Sequence, residues 1–165
     1  MNANYIAMAR DVIKDIFGTD RVSYDTMEDY KYNGKTGYHI AFGMSRETFI
    51  RDDLPFVIKT GLSKAGNEQC EKEARLYHSA VVNGVEYAFA EYYGRFRYHN
   101  HYFYLFEKVE GVGAYCGEFF DSVDDDDLMD FCYDNGINDL HCENYGYNKN
   151  RDCFVICDYA GYYDF

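Results

Sequence analysis

The amino-acid sequence predicts an α+β chain: an antiparallel sheet carrying one inserted helix, then a smaller region of short helix, irregular loop and β-hairpin. Three observations carry this expectation. The apolar spacing switches between helical and strand periods along the chain. Glycine and polar clusters mark turns between the strand-like runs. The chain has 165 residues and is 47 % hydrophobic, enough for one folded domain with a single core.

Residues 3–17 place Ile6, Val12, Ile13, Ile16 and Phe17 at helical spacing, and Gly18 follows as a stop. Residues 22–50 are rich in Tyr, Gly and Thr and read as strands joined by turns. Phe56-Val57-Ile58-Lys59 is a short apolar strand after Pro55. Asn67 to Val82 reads as a helix with Cys70, Ala74, Tyr77 and Val81 on one stripe. Glu86–Tyr93 and Tyr102–Val109 read as two strands of an antiparallel hairpin, with Gly94 and a His-Asn-His tip in the turn. Asp125–Tyr133 is a short helix whose apolar positions are Leu128, Met129 and Phe131, stopped by Asn135-Gly136. An irregular loop over 138–144 precedes two strands near 145–147 and 153–157, joined by a polar turn.

The formal charge of −13 argues against binding to a phosphate backbone and excludes nucleic acid as an expected partner. It suits a chain that competes for a basic surface on another protein. The densest acidic stretch, Asp121-Ser122-Val123-Asp124-Asp125-Asp126-Asp127, reads as a solvated loop leading into a helix N-terminus. Tyrosines, 19 of them beside 13 Phe and no Trp, bury area while keeping a polar tip. No secretory signal opens the chain, and no apolar run reaches the ~20 residues of a membrane span. A cytoplasmic, reducing location with no membrane contact is expected, and the six cysteines are read as free thiols. Cys153 and Cys157, with His141 and Cys142, raise zinc as a thought, but the chain has no Cys-x-x-Cys pair.

One pattern proposes a chemistry. Asp139 is followed five residues later by Asn144, and Asp158 opens Asp158-Tyr159-Ala160-Gly161 after an apolar strand. Upstream, Val57-Ile58-Lys59 ends a strand on a lysine, and the next helix carries Glu71 and Glu73. In this order the four elements resemble the protein-kinase-like superfamily over roughly residues 35–161. The stretch Tyr104-Leu105-Phe106-Glu107-Lys108-Val109 closely resembles short kinase-like reading frames frequent in bacteriophage and prokaryotic genomes.

The resemblance implies a kinase-like fold, with residues 18–109 as an N-lobe-like sheet and 110–165 as a truncated C-lobe-like region. It implies ATP and Mg²⁺ as cofactors. Lys59 would meet the α- and β-phosphates, and Glu73 would pair with that lysine. Glu73 is preferred to Glu71 because Ala74, Leu76 and Tyr77 follow it as the family's apolar residues do. Asp139 would accept the acceptor hydroxyl's proton, while Asn144 and Asp158 would hold the metal. Glu107 to Val109 lie where the family's hinge pairs with adenine.

Several departures are visible. Ile137-Asn138 stand where kinases have His-Arg, Tyr159 stands for Phe, and Asn33–Tyr38 offers two glycines at the wrong spacing for the phosphate-covering loop. Four residues follow Gly161, so the activation segment and peptide-docking helices are expected to be missing. Two functions follow from the resemblance: a minimal phosphotransferase or ATPase, or a catalytically inactive pseudokinase-type module whose acidic surface meets a host or cellular protein. In a third reading Asp139 and Asn144 serve only as caps within their loop.

Overall fold

The computed structural model describes residues 2–18, 22, 45–114, 117, 125–138 and 140–160, together with the backbone of 39–42. Asp139, the 33–38 turn, Gly161 and the 121–124 part of the acidic run lie outside the described residues. The fold is mixed α+β. The chain divides into two compact units, one of residues 1–71 and 92–107, the other of residues 72–91 and 108–165.

The first unit opens with helix α1, Ala3–Phe17. Asn2 caps it by accepting the Tyr5 amide at 3.3 Å. Gly18 ends it at φ +61°, a left-handed conformation glycine adopts without Cβ strain, while its amide reaches the Lys14 carbonyl at 2.7 Å. Ala9, Val12, Ile13, Ile16 and Phe17 form the buried face, at the spacing expected from sequence.

That face packs on a five-stranded antiparallel sheet of β1 (His39–Phe42), β2 (Arg46–Ile50), β3 (Phe56–Gly61), β4 (Tyr92–Tyr98) and β5 (His101–Glu107). The spatial order is β1-β2-β3-β5-β4, so β3 lies in the middle and is buried along its whole length. The core joins α1 to Phe49, Leu54, Phe56, Ile58, Phe96, Phe103 and Leu105. Phe96 and Phe103 stack with centroids 5.5 Å apart.

Two expectations about the hairpin are corrected. Gly94 lies inside β4, where the register shifts between Tyr92 and Gly94, and its φ of +139° is a bulge conformation. The tip is His99-Asn100, as the His-Asn-His run led us to expect, with His99 at φ +51° and His101 already in β5. The run Glu86–Tyr93 is not one strand. Glu86–Ala88 coil into a 3-10 turn, Phe89 makes a single bridge to Ile156, and β4 starts at Tyr92. A continuous apolar run carries no alternation that would fix it as sheet.

Helix α2 spans Lys64–Asn83, starting three residues earlier than expected because Ser63 accepts the Gly66 amide at 3.1 Å. Asn67 Oδ1 accepts the Gly61 amide at 3.3 Å, and the Leu62 amide donates to the Ser45 carbonyl at 2.8 Å. Strand, turn and helix meet here through two glycines. The buried stripe of α2 runs through Cys70, Glu73, Ala74, Leu76 and Ala80; Val81, expected on it, is 47 % exposed.

His101 opens β5 and is buried. Burial holds its imidazole below the ordinary histidine range, although a hydrogen bond with the Gly61 backbone acts in the opposite direction. The unfolded chain therefore takes up a proton near pH 6.5 that the folded chain resists. Stability is expected to fall as pH drops through and below 6.5, and His101→Gln should flatten that fall. Melting curves of both proteins between pH 7.5 and 5.5 check this; parallel pH profiles would remove His101 as the cause.

The second unit holds the later turns of α2, the 3-10 turn at Glu86–Ala88, helix α3 (Asp126–Asp134), a second 3-10 turn (Cys142–Asn144) and the hairpin β6–β7 (Tyr145–Asn148 and Cys153–Ile156). Asp125 caps α3 by accepting the amides of Asp127 at 2.9 Å and Leu128 at 3.3 Å. Asp126 and Asp127 occupy the first turn, where carboxylates suit the helix dipole. Leu128, Phe131 and Cys132 face inward; Met129, expected among them, is 54 % exposed. Burial pushes the Cys132 thiol up to about 11, as expected of a packing thiol.

Arg151, from the hairpin turn, donates to the carbonyls of Tyr87 at 3.1 Å and Phe89 at 2.8 Å. Glu110 and Tyr147 exchange backbone hydrogen bonds, both at 2.9 Å. Among the described residues no helix is long and apolar enough to cross a membrane.

Candidate functional site

The first unit carries Lys59 and Glu107. Lys59 lies in the central strand β3, opposite Thr48 on one side and Tyr104 on the other, and is only 7 % exposed. Its ammonium sits 4.7 Å from the centroid of the Phe106 ring, where the π-face attracts a cation. A strand paired on both sides fixes the lysine's Cα and its direction. Glu107 is the last residue of β5, opposite Phe56, and is also buried.

The choice between Glu71 and Glu73 has a structural counterpart. Glu71 forms a salt bridge with Arg95 and accepts the Tyr104 hydroxyl at 3.1 Å. Burial first, and then the Glu71 carboxylate, hold the Tyr104 phenol well above its usual range. Burial also pushes the Tyr92 phenol up to about 12. Glu71 is thus engaged by partners within the first unit, whereas Glu73 is fully buried in the second.

The second unit gathers the predicted metal residues. Asn144 closes the 3-10 turn that follows the described part of the 138–144 loop, its amide donating to the His141 carbonyl at 2.8 Å. It is 6 % exposed. Its own carbonyl accepts the Cys157 amide at 2.7 Å, so the residue just before Asp158 is docked on Asn144. Asp158 follows β7 and is partly exposed.

Tyr159 is buried, and its hydroxyl donates to the Ala90 carbonyl at 3.1 Å. Its ring meets Phe89 edge-on, 5.0 Å between centroids, and Phe89 meets Phe131 at 5.7 Å. Burial and then the Glu73 carboxylate raise the Tyr159 phenol well above its usual range, with Asp158 adding to the effect. Glu73 and Asp158 therefore both lie within electrostatic reach of the Tyr159 hydroxyl. Val109 packs on Gly146, where an added Cβ would come within 2.5 Å of the valine Cγ2.

The donors of Asn144 and Asp158 are one amide oxygen and one carboxylate. That set fits Mg²⁺, a hard cation commonly held by one or two carboxylates, waters and substrate phosphates. Among the described residues no group of three or more His, Cys, Asp or Glu comes together to hold a metal ion. Residues that sequence reasoning missed are Phe89, Ala90 and Arg151. Their importance comes from main-chain carbonyls and ring edges, which leave no motif. The one available signal was the extra hydroxyl of Tyr159 where the resembled motif has Phe.

A scan of the chain against protein-family models matches none, and a search of curated proteins gives no significant match.

Proposed function

We propose that this protein binds Mg-ATP at a kinase-like nucleotide site and acts as a minimal phosphotransferase or ATPase. The observation that carries the reading is the docking of the Cys157 amide on the carbonyl of buried Asn144, directly before Asp158. That backbone bond ties the segment leading into Asp158 to Asn144, which supports reading the two oxygen-bearing residues as partners on a phosphate-bridging cation. Mg²⁺, when bound, supplies charge neutralisation to the phosphates. Lys59 is assigned to the α- and β-phosphates, and its burial keeps its stem ordered. Glu73 is assigned to orient that lysine, Glu107 and Val109 to the adenine, and Asp139 to the acceptor hydroxyl.

The expected result is an Mg-dependent rise in melting temperature with ATP, reversed by EDTA. At a ligand concentration ~100-fold above Kd, mass action adds about 2.7 kcal/mol, or roughly 5–10 °C for a chain of this size. Asp158→Ala should abolish Mg-ATP binding in calorimetry, an affinity loss of about 100-fold or more. Unchanged affinity in that variant would sink the reading.

No ATP response in the wild type would instead favour an inactive kinase-like module that meets a basic partner. The observation behind this second reading is α3, which exposes Tyr133 by 87 % and Met129 by 54 % among Asp126, Asp127, Asp130 and Asp134. Exposed aromatic and thioether groups ringed by carboxylates suit contact with a basic, amphipathic protein segment.

A further inference from the structure

We propose that the Tyr159 hydroxyl is a positioning group that fixes the Asp158 carboxylate for its cation; the inference rests on the Mg-ATP reading above. Asp158 stands between two anchors. On its N-terminal side the Cys157 amide donates to the Asn144 carbonyl at 2.7 Å. On its C-terminal side the Tyr159 hydroxyl donates to the Ala90 carbonyl at 3.1 Å. Ala90 is itself tied back to the same strand, because its amide donates to the Ile156 carbonyl at 2.8 Å. A closed circuit therefore runs from Ile156 through Asp158 and Tyr159 to Ala90 and back.

Packing alone would place the ring without fixing the backbone on either side of it. The ring lies edge-on to Phe89, a contact that a phenylalanine would make equally well. The hydroxyl adds direction. A buried donor that leaves the Ala90 carbonyl must find another acceptor or stay unsatisfied, so the turn is held in one arrangement. Loss of this one O–H should loosen the Asp158 backbone more than it loosens the fold.

The test compares Tyr159→Phe with Phe131→Leu, which disturbs the same aromatic cluster without touching a hydrogen bond. Hydrogen exchange followed by mass spectrometry reads the peptide over residues 156–160, and calorimetry reads ATP binding with and without Mg²⁺. For Tyr159→Phe, exchange over 156–160 is expected to quicken about fivefold or more, a sign of local opening. Mg-ATP affinity should fall about tenfold while metal-free ATP affinity holds. Phe131→Leu should lower the melting temperature without either change. Wild-type exchange in Tyr159→Phe, or the same local change in Phe131→Leu, would overturn the proposal. If the wild type binds no Mg-ATP, the functional reading falls, and the exchange comparison still decides whether the hydroxyl holds the segment.

Discussion

Gly66→Ala is expected to lower the melting temperature by about 10 °C, even though the substitution sits in a helix. Helix propensity alone predicts the reverse, because alanine is favoured over glycine by about 1 kcal/mol in a helix interior. The surroundings decide the sign. A Cβ at position 66 would lie 1.9 Å from the Ser45 carbonyl oxygen and 2.9 Å from its carbon. Both are backbone atoms, so no side chain can rotate away. The Ser45 carbonyl also accepts the Leu62 amide, and moving it breaks the turn that leads β3 into α2. Relieving such an overlap costs about 3 kcal/mol, and each kcal/mol moves the midpoint by roughly 2–4 °C in a chain of this size. Thermal denaturation followed by circular dichroism checks the result. A variant as stable as the wild type, or more stable, would show that β2 and α2 do not approach this closely.

Phe89→Ala is expected to cost about 3–5 kcal/mol, the range for emptying a fully buried aromatic site. Phe89 is 0 % exposed and meets both Phe131 and Tyr159 edge-on. Its loss removes the ring that joins α3 to the turn after β7. The backbone around it stays tied, because the Phe89 carbonyl still accepts from Arg151 and the Ala90 amide still reaches Ile156. The damage is therefore a cavity and not a broken strand. Urea titration measures it, with Phe89→Leu falling between the two proteins. A loss under about 1 kcal/mol would mean that the cluster closes over the gap.

Much of the architecture was legible in the residues. Helix α1 could be bounded at both ends, since Ile13 and Ile16 share one face and Gly18 supplies the left-handed stop. The central strand was marked by Phe56 to Ile58, and the hairpin of β6 and β7 by the polar turn between them. What sequence misplaced has physical causes. Gly94 resembled a turn because its φ of +139° demands glycine, yet a bulge makes the same demand. Val81 and Met129 sit at helical spacing from buried residues but beyond the arc their helices bury.

The candidate site was legible in part. Spacing proposed Asn144 and Asp158, and the apolar residues after Glu73 singled it out from Glu71, which is occupied by Arg95 and Tyr104. The clasp by Tyr159 and Arg151 was invisible, because its acceptors are main-chain carbonyls that any residue type can offer.

That clasp also sets a schedule for synthesis. Arg151 reaches carbonyls 64 and 62 residues back, and Tyr159 reaches one 69 residues back. While the ribosome extends the chain at about 5–20 residues per second, Phe89 and its neighbours wait roughly 3–14 s for their native cover. Through that interval an aromatic segment destined for burial stands open to water and to other chains. The nascent segment around Phe89 is consequently most open to aggregation in the interval before the hairpin and Tyr159 emerge.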